Sequence, residues 1–403
     1  MNEYDIIYFE NRLMANVFAK RPLVITRGKG ALVWDINGKE YIDCMGSYGV
    51  ALLGHSHPKV VEAVCKQAET LISCHASLYN TKRTEFLQKL MSITPKGLNK
   101  AFLSNSGAEA VECAIKLARK FTGKPEIIAV MGGFHGKTMG ALSATWDKKY
   151  REPFQPLVPE FKHVPPDNLE KLTEAVTDKT AAVLLEPIRG EGGVRVPPDE
   201  FLPGVRELCD EKNVLLILDE VQTSFGRTGK LFGCEHLGVT PDVMCLAKPF
   251  AGGLPIGITV AKEPIMSSLK VGEHSSTFSG SPLVCAAACA AIDVLLKEKL
   301  ADRAATLGGY FKAKLEELQA KYKIVKEVRG LGLMLGMELR YDVRNVIIKA
   351  MDRGVLILDA GRNVLRFLPP LVIEKEQIDK TISVLDIIIK EEENARTSSA
   401  PAD

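Results

Sequence analysis

Two apolar runs, each ending in a charge, constrain this chain more than any other feature. Residues 214–218 of VLLILDEVQTSFGRTGK end in Asp219, and a second run within PDVMCLAKPFAGGLPIG ends in Lys248. Each run has the length of a fully buried strand and delivers its charge at the C-terminal end. Open parallel sheets place ligands beyond the carboxyl ends of their strands. These residues alone admit two readings. One is a buried salt bridge, which contributes little net stability without a further role. The other is a pyridine-cofactor site, with Lys248 as Schiff-base lysine and Asp219 holding the ring nitrogen protonated.

The flanking sequence supplies the scaffold for such a site. From about residue 84, helices alternate with buried strands, as in a doubly wound α/β domain. Strands are expected near residues 101–103, 127–130 and 181–185, in the two runs, and in PIGITVAK. Upstream, residues 1–30 are mixed, with a turn at Arg27-Gly28-Lys29-Gly30, and ALVWDINGKEYIDC alternates around an Asn37-Gly38 hairpin turn. After Pro282 a helix, LVCAAACAAIDVLLKEKL, leads into a helical run through Leu318. An α+β pattern follows, expected to pack with the N-terminal hairpin, and residues 394–403 read as a frayed tail.

Composition narrows the function classes. The chain has 403 residues, enough for one large and one smaller domain, and its formal net charge of +2 gives no reason to expect nucleic acid or an anionic membrane. Nine cysteines occur without a CxxC pair. Cys113, Cys245, Cys285 and Cys289 fall in apolar segments and read as buried small hydrophobes in a reducing compartment. The acidic N-terminus is not read as a signal peptide, no stretch reaches the length of a membrane span, and a cytoplasmic location is expected. His55 and His57 lack a ligand-like neighbour and are read as loop and cap residues, so no metal is expected.

Several residues cluster at the expected strand ends. Ser106-Gly107-Ala108 opens a helix straight after a strand, offering unpaired N–H groups at a positive helix end that suit a phosphate or an ordinary turn. Phe134, in the next strand–helix turn, can stack on a planar ring or plug the sheet end. Glu186 and Glu191 lie among glycines in EPIRGEGG, and Gln222 follows Asp219 by three. Ser275, Ser276 and Thr277 are hydroxyls that can donate to phosphate. Together they make the set that pyridoxal 5′-phosphate needs.

These stretches resemble the class III aminotransferases of the acetylornithine, ornithine and 4-aminobutyrate type. The likeness runs nearly end to end, through RGKGALVWDINGKEYID, LGHSHP, SNSGAEAVECAIKLARK, GGFHGKTMGALSAT, EPIRGEGG, LILDEVQTSFGRTGK, STFSGSPL, VRGLGLMLGMEL and RFLPP. It implies fold type I, the aspartate-aminotransferase-like fold: a mostly parallel seven-stranded sheet with a smaller α+β domain. The large domain would be residues 50–283, and both termini, 1–49 and 284–403, would form the small one. It also implies that Lys248 carries pyridoxal phosphate, Asp219 meets the pyridine nitrogen, Gln222 lies near the ring hydroxyl, and Phe134 stacks on the ring. Gly107 and Ala108 would hold the phosphate, and Thr277 would reach the site of a neighbouring subunit in a homodimer. Arg366 would bind the substrate carboxylate, with Glu191 as its alternate partner.

The substrate is less sharply implied. Lys137 stands where acetylornithine enzymes carry an arginine, keeping the charge without the bidentate fork. Ser276, with Lys137, Glu191 and Arg366, completes the expected substrate contacts. Arg189 replaces a common glutamine and is expected to add positive charge near the pocket. Within the family the chain is most similar to archaeal enzymes that act on semialdehydes linked to the LysW amino-group carrier, in lysine and arginine biosynthesis. An acidic carrier would suit a basic rim of Lys137, Lys148, Lys149 and Arg189. The implied reaction exchanges an ω-amino group with glutamate and 2-oxoglutarate; acetylornithine, 4-aminobutyrate and putrescine are the alternative substrates.

Overall fold

A computed structural model describes residues 1–397. Seven strands form the central sheet, in the order Lys100–Ser104, Gly257–Ala261, Val243–Ala247, Leu215–Asp219, Thr180–Leu185, Glu126–Val130 and Phe161–Val164. Gly257–Ala261 runs antiparallel to both neighbours, and the remaining pairs are parallel. Five of these strands are buried along their whole length, which explains why they read as unbroken apolar runs rather than alternating ones. Leu215–Asp219 and Val243–Ala247 are parallel neighbours, with Asp219 opposite Cys245. Both charges of the two apolar runs therefore leave the same edge of the sheet. Phe161–Val164, which alternates in burial at the sheet edge, is too short and too polar to stand out in the sequence.

The helix Gly107–Thr122 lies across this sheet. Ala110, Val111, Ala114, Leu117 and Ala118 are buried on it at helical spacing. The Ser106 side chain caps it by accepting from the Glu109 N–H, and Gly123, at φ 70°, ends it. Its first turn is thereby fixed beyond the end of Lys100–Ser104.

Two four-stranded sheets flank the centre. Ile25–Lys29, Leu32–Asp35 and Glu40–Asp43 form a meander, and Val355–Leu356 adds to it in parallel, which joins the N-terminal hairpin to the C-terminal region as expected. The Asn37-Gly38 turn is closed by Asp35, whose Oδ1 accepts from the N–H groups of Asn37 and Lys39. The other sheet pairs Val325–Leu331, Met334–Leu339, Val364–Phe367 and Leu358–Ala360 and carries Arg366.

Three expectations need correction. The first 30 residues are not irregular: Glu3–Leu13 is a helix without a buried residue, and Arg27 to Lys29 lie in a strand whose turn comes at Gly30 and Ala31. The long helical run breaks at Lys299, where φ is 49°, giving Pro282–Lys297 and Leu300–Lys321. Of the expected frayed tail, residues 394–397 continue the last helix, Lys375–Thr397, and 398–403 lie outside the described residues. All nine cysteines are free, and Cys113, Cys245, Cys285 and Cys289 are buried. No helix among the described residues is long and apolar enough to cross a membrane.

One glycine locks the antiparallel strand to the helix start. A Cβ on Gly257 would come 2.1 Å from the Ser106 carbonyl oxygen, a backbone atom that has no room to yield. Gly257→Ala is expected to destabilise the protein by about 1–3 kcal/mol, read from the midpoint of denaturant unfolding.

Candidate active site

A cavity of about 750 Å³ opens at the carboxyl edge of the central sheet, lined by Gly107, Ala108, Phe134, Asp219, Gln222 and Lys248 among others. Residues far apart in sequence meet there because each follows a strand that ends on the same edge. The Gly107 and Ala108 N–H groups belong to the first turn of their helix, which has no intrahelical acceptor for them. A Cβ on Gly107 would lie 2.9 Å from Val221 Cγ1, so the helix start and the loop after Asp219 approach as closely as glycine allows.

Asp219 is 4% exposed, and its charge is held by two groups. His135 Nδ1 lies 2.8 Å from Oδ2, and the Val221 N–H donates to Oδ1 at 3.1 Å. Burial alone would lower the pKa of His135, but the hydrogen bond and charge of Asp219 outweigh it and raise the net value. His135 is thus clamped behind the acid, with its protonated form favoured by Asp219. Sequence reasoning passed it over, although it adjoins Phe134 in a glycine-rich turn; its partner lies 84 residues away.

Lys248 follows Val243–Ala247 with φ 50°, a left-handed backbone that costs a non-glycine residue free energy. Burial pushes its ammonium pKa down and the charge of Asp219 works against this, leaving the amine easier to deprotonate than a free lysine. Glu186, buried at the cavity wall, is pushed up to about 7, chiefly by burial.

Arg366, 1% exposed, reaches the cavity from the C-terminal sheet. Its Nη2 stands 2.7 Å from Glu191 Oε1 in an ion pair, and none of Nε, Nη1 and Nη2 makes a well-directed hydrogen bond. A buried guanidinium with free donors at a cavity wall has the chemistry to pair with a carboxylate. Lys137 is exposed at the mouth, its Nζ 4.8 Å from the centre of the Tyr150 ring, which in turn meets Phe134 edge-on at 5.7 Å.

Not every expected contact is brought together within one chain. Ser276 and Thr277 do not line their own chain's cavity; Ser276 accepts from Asn105 Nδ2 at 2.9 Å, and Thr277 is exposed. Arg189 corrects the expected basic rim. It is 6% exposed and paired bidentately with Asp167 at 2.8 and 2.7 Å, so its charge is spent inside the protein. His55 pairs with Asp43 at 2.7 Å, and His57 stands just before the helix Pro58–Thr70, 3.8 Å from Glu298.

A helix N-terminus for a phosphate, a buried carboxylate for a ring nitrogen and a lysine between them fit pyridoxal 5′-phosphate. Fold and site together define a transaminase that uses this cofactor. Residues 14–389 match the family Aminotransferase class-III, and the chain belongs to that family. It is 46% identical over 391 residues to an acetylornithine aminotransferase of Methanothermobacter thermautotrophicus, covering 97% of this chain and 100% of that one. It is 47% identical over 384 residues to the [LysW]-aminoadipate semialdehyde transaminase of Deinococcus radiodurans, covering 94% and 89%. The ornithine aminotransferase structure of Toxoplasma gondii described with partial pyridoxal phosphate occupancy superposes with a TM-score of 0.94 at 37% identity, covering 98% and 96%.

Removing His135 would leave Asp219 buried without its side-chain hydrogen-bond partner. His135→Leu is expected to cost the cofactor-free protein about 3–5 kcal/mol. Because the pKa of His135 is raised in the fold, the electrostatic part is fully present below the ordinary value of 6.5 and lost as pH rises through the raised value. The gap in Tm between wild type and variant should therefore narrow as pH rises, as thermal denaturation across pH 5 to 9 would show.

Proposed function

We propose that this transaminase moves an ω-amino group between glutamate or 2-oxoglutarate and an amino-acid semialdehyde whose α-nitrogen is carried on an acidic LysW-type carrier protein, in lysine or arginine biosynthesis. The pairing of Arg366 with Glu191 at 2.7 Å is the observation that carries the two-substrate reading. A dicarboxylic substrate displaces Glu191 and takes the guanidinium, whereas a substrate without that second carboxylate leaves the pair closed. The carrier is supported by the Deinococcus relative and by Lys137 at the mouth. Acetylornithine is the second reading, favoured by the Methanothermobacter relative and by the burial of Arg189, which removes one charge from the rim.

In this reading Gly107 and Ala108 hold the cofactor phosphate through their amides, Phe134 covers the ring, and Gln222 meets the ring hydroxyl. Asp219, with His135 behind it, keeps a proton on the ring nitrogen. Bound pyridoxal phosphate supplies an electron sink for the substrate carbon that loses its proton. Lys248 Nζ would take up and release that proton, aided by the burial that lowers its pKa. Lys137 and Ser276 contact the far end of the substrate.

A cytoplasmic homodimer belongs to the same proposal. Thr277, exposed and away from its own cavity, would serve a neighbour, and the helix Glu3–Leu13 leaves Tyr4, Tyr8 and Leu13 uncovered. The division into residues 50–283 and 1–49 plus 284–403 is proposed alongside it.

Lys248→Ala is expected to lose the yellow Schiff-base absorption and to lower turnover by at least roughly 10²–10⁴-fold. Arg366→Leu should raise the KM for 2-oxoglutarate roughly 10- to 100-fold, the worth of a charge-assisted hydrogen bond. Steady-state assays of carrier-linked semialdehyde, acetylornithine, putrescine and 4-aminobutyrate rank the acceptors. Acetylornithine turned over faster than the carrier-linked substrate would replace the first reading with the second.

A further inference from the structure

Two loops of the site meet on one carboxylate that the chemistry above leaves unused. Glu186 follows Thr180–Leu185, is 8% exposed and lines the cavity. It accepts the Phe134 N–H on Oε1 at 2.9 Å and the Gly190 N–H on Oε2 at 3.1 Å. The first belongs to the loop that carries the ring-covering aromatic. The second belongs to the loop that carries Glu191.

The charged groups that act on Glu186 are His135, which favours its ionised form, and Asp219, which opposes it. A carboxylate buried without a bonded cation is costly, so its two backbone contacts mark a specific use. The same two loops touch elsewhere. A Cβ on Gly192 would come 2.6 Å from the Gly132 carbonyl oxygen, and Arg189 packs beside Gly132 on its way to Asp167. Beyond Glu191, the Gly193 carbonyl is held by Arg329 Nε at 2.8 Å. The Glu191 loop is thus anchored on both sides, and Glu186 supplies the hydrogen bonds that tie it to the cofactor side.

We propose that Glu186 is a positioning residue that sets the Phe134 loop and the Glu191 loop against each other, so that cofactor seating and the choice between amino donor and keto acid are adjusted together. This rests on the roles given above to Phe134 and Glu191. An amide tests it at constant volume: glutamine offers one carbonyl acceptor where the carboxylate offers two, and its NH₂ meets the other backbone N–H donor to donor.

The experiment compares wild-type holoenzyme with Glu186→Gln, Phe134→Ala, Glu191→Ala and the double variant Glu186→Gln/Glu191→Ala. It measures pyridoxal phosphate dissociation by absorbance titration, and KM and kcat for glutamate and for 2-oxoglutarate. Glu186→Gln is expected to weaken cofactor binding roughly tenfold and to shift the 2-oxoglutarate KM by a similar factor, with a smaller change in kcat. The double variant should shift KM by less than the product of the single shifts, because both act through one loop. If Phe134→Ala and Glu191→Ala move these values and Glu186→Gln leaves either at its wild-type level, the positioning role is wrong and the site assignments stand. If Phe134→Ala and Glu191→Ala move nothing, those assignments fail and the role of Glu186 falls with them. Should Glu186→Gln fail to fold, Glu186→Asp, one methylene too short to reach both amides, decides by the same two readouts.

Discussion

Asp219 is a carboxylate held out of water at the end of a buried strand, and the rest of the site depends on how its charge is managed. His135 takes one oxygen and the Val221 amide the other, so neither oxygen of this buried acid is left without a partner. Register then does the placing. Leu215–Asp219 and Val243–Ala247 pair in parallel, so Lys248 leaves the sheet beside the acid rather than on the opposite edge. A one-residue slip in that pairing would invert the faces of one strand relative to the other and part the acid from the lysine.

The reaction asks one cavity to accept two different partners in turn, and the structure divides that demand between two regions. The central sheet supplies the invariant part: helix end, aromatic, acid and lysine. The C-terminal sheet supplies Arg366, which is deeply buried yet keeps donors without hydrogen-bond partners at the cavity wall. The two regions are stitched by another buried arginine. Arg227 donates to the Leu333 and Pro369 carbonyls at 2.8 and 2.6 Å, fastening the loop after Asp219 to the segments on either side of Arg366.

Much of this is legible in the sequence, for a physical reason. Buried parallel strands need continuous apolar residues, and helix starts need small or capping ones, so the segments around Asp219, Lys248 and Ser106 announce themselves locally. What escapes is non-local. Arg189 reads as a free cation because its partner, Asp167, lies 22 residues earlier in a connecting loop. His135 reads as a loop residue because the acid that holds it is on another strand. Phe161–Val164 escapes because an edge strand has one half-exposed face and little apolar length. Thr277 is a different case, since it lies outside the cavity of its own chain.

The left-handed backbone at Lys248 has a consequence beyond geometry. Most residues with φ above zero here are glycines, for which that conformation is free of steric cost. A lysine at such a position cannot be replaced by a residue that relaxes the turn without also giving up the amine. Under the role proposed for Lys248, ease of folding and reactivity thus pull in opposite directions at a single residue.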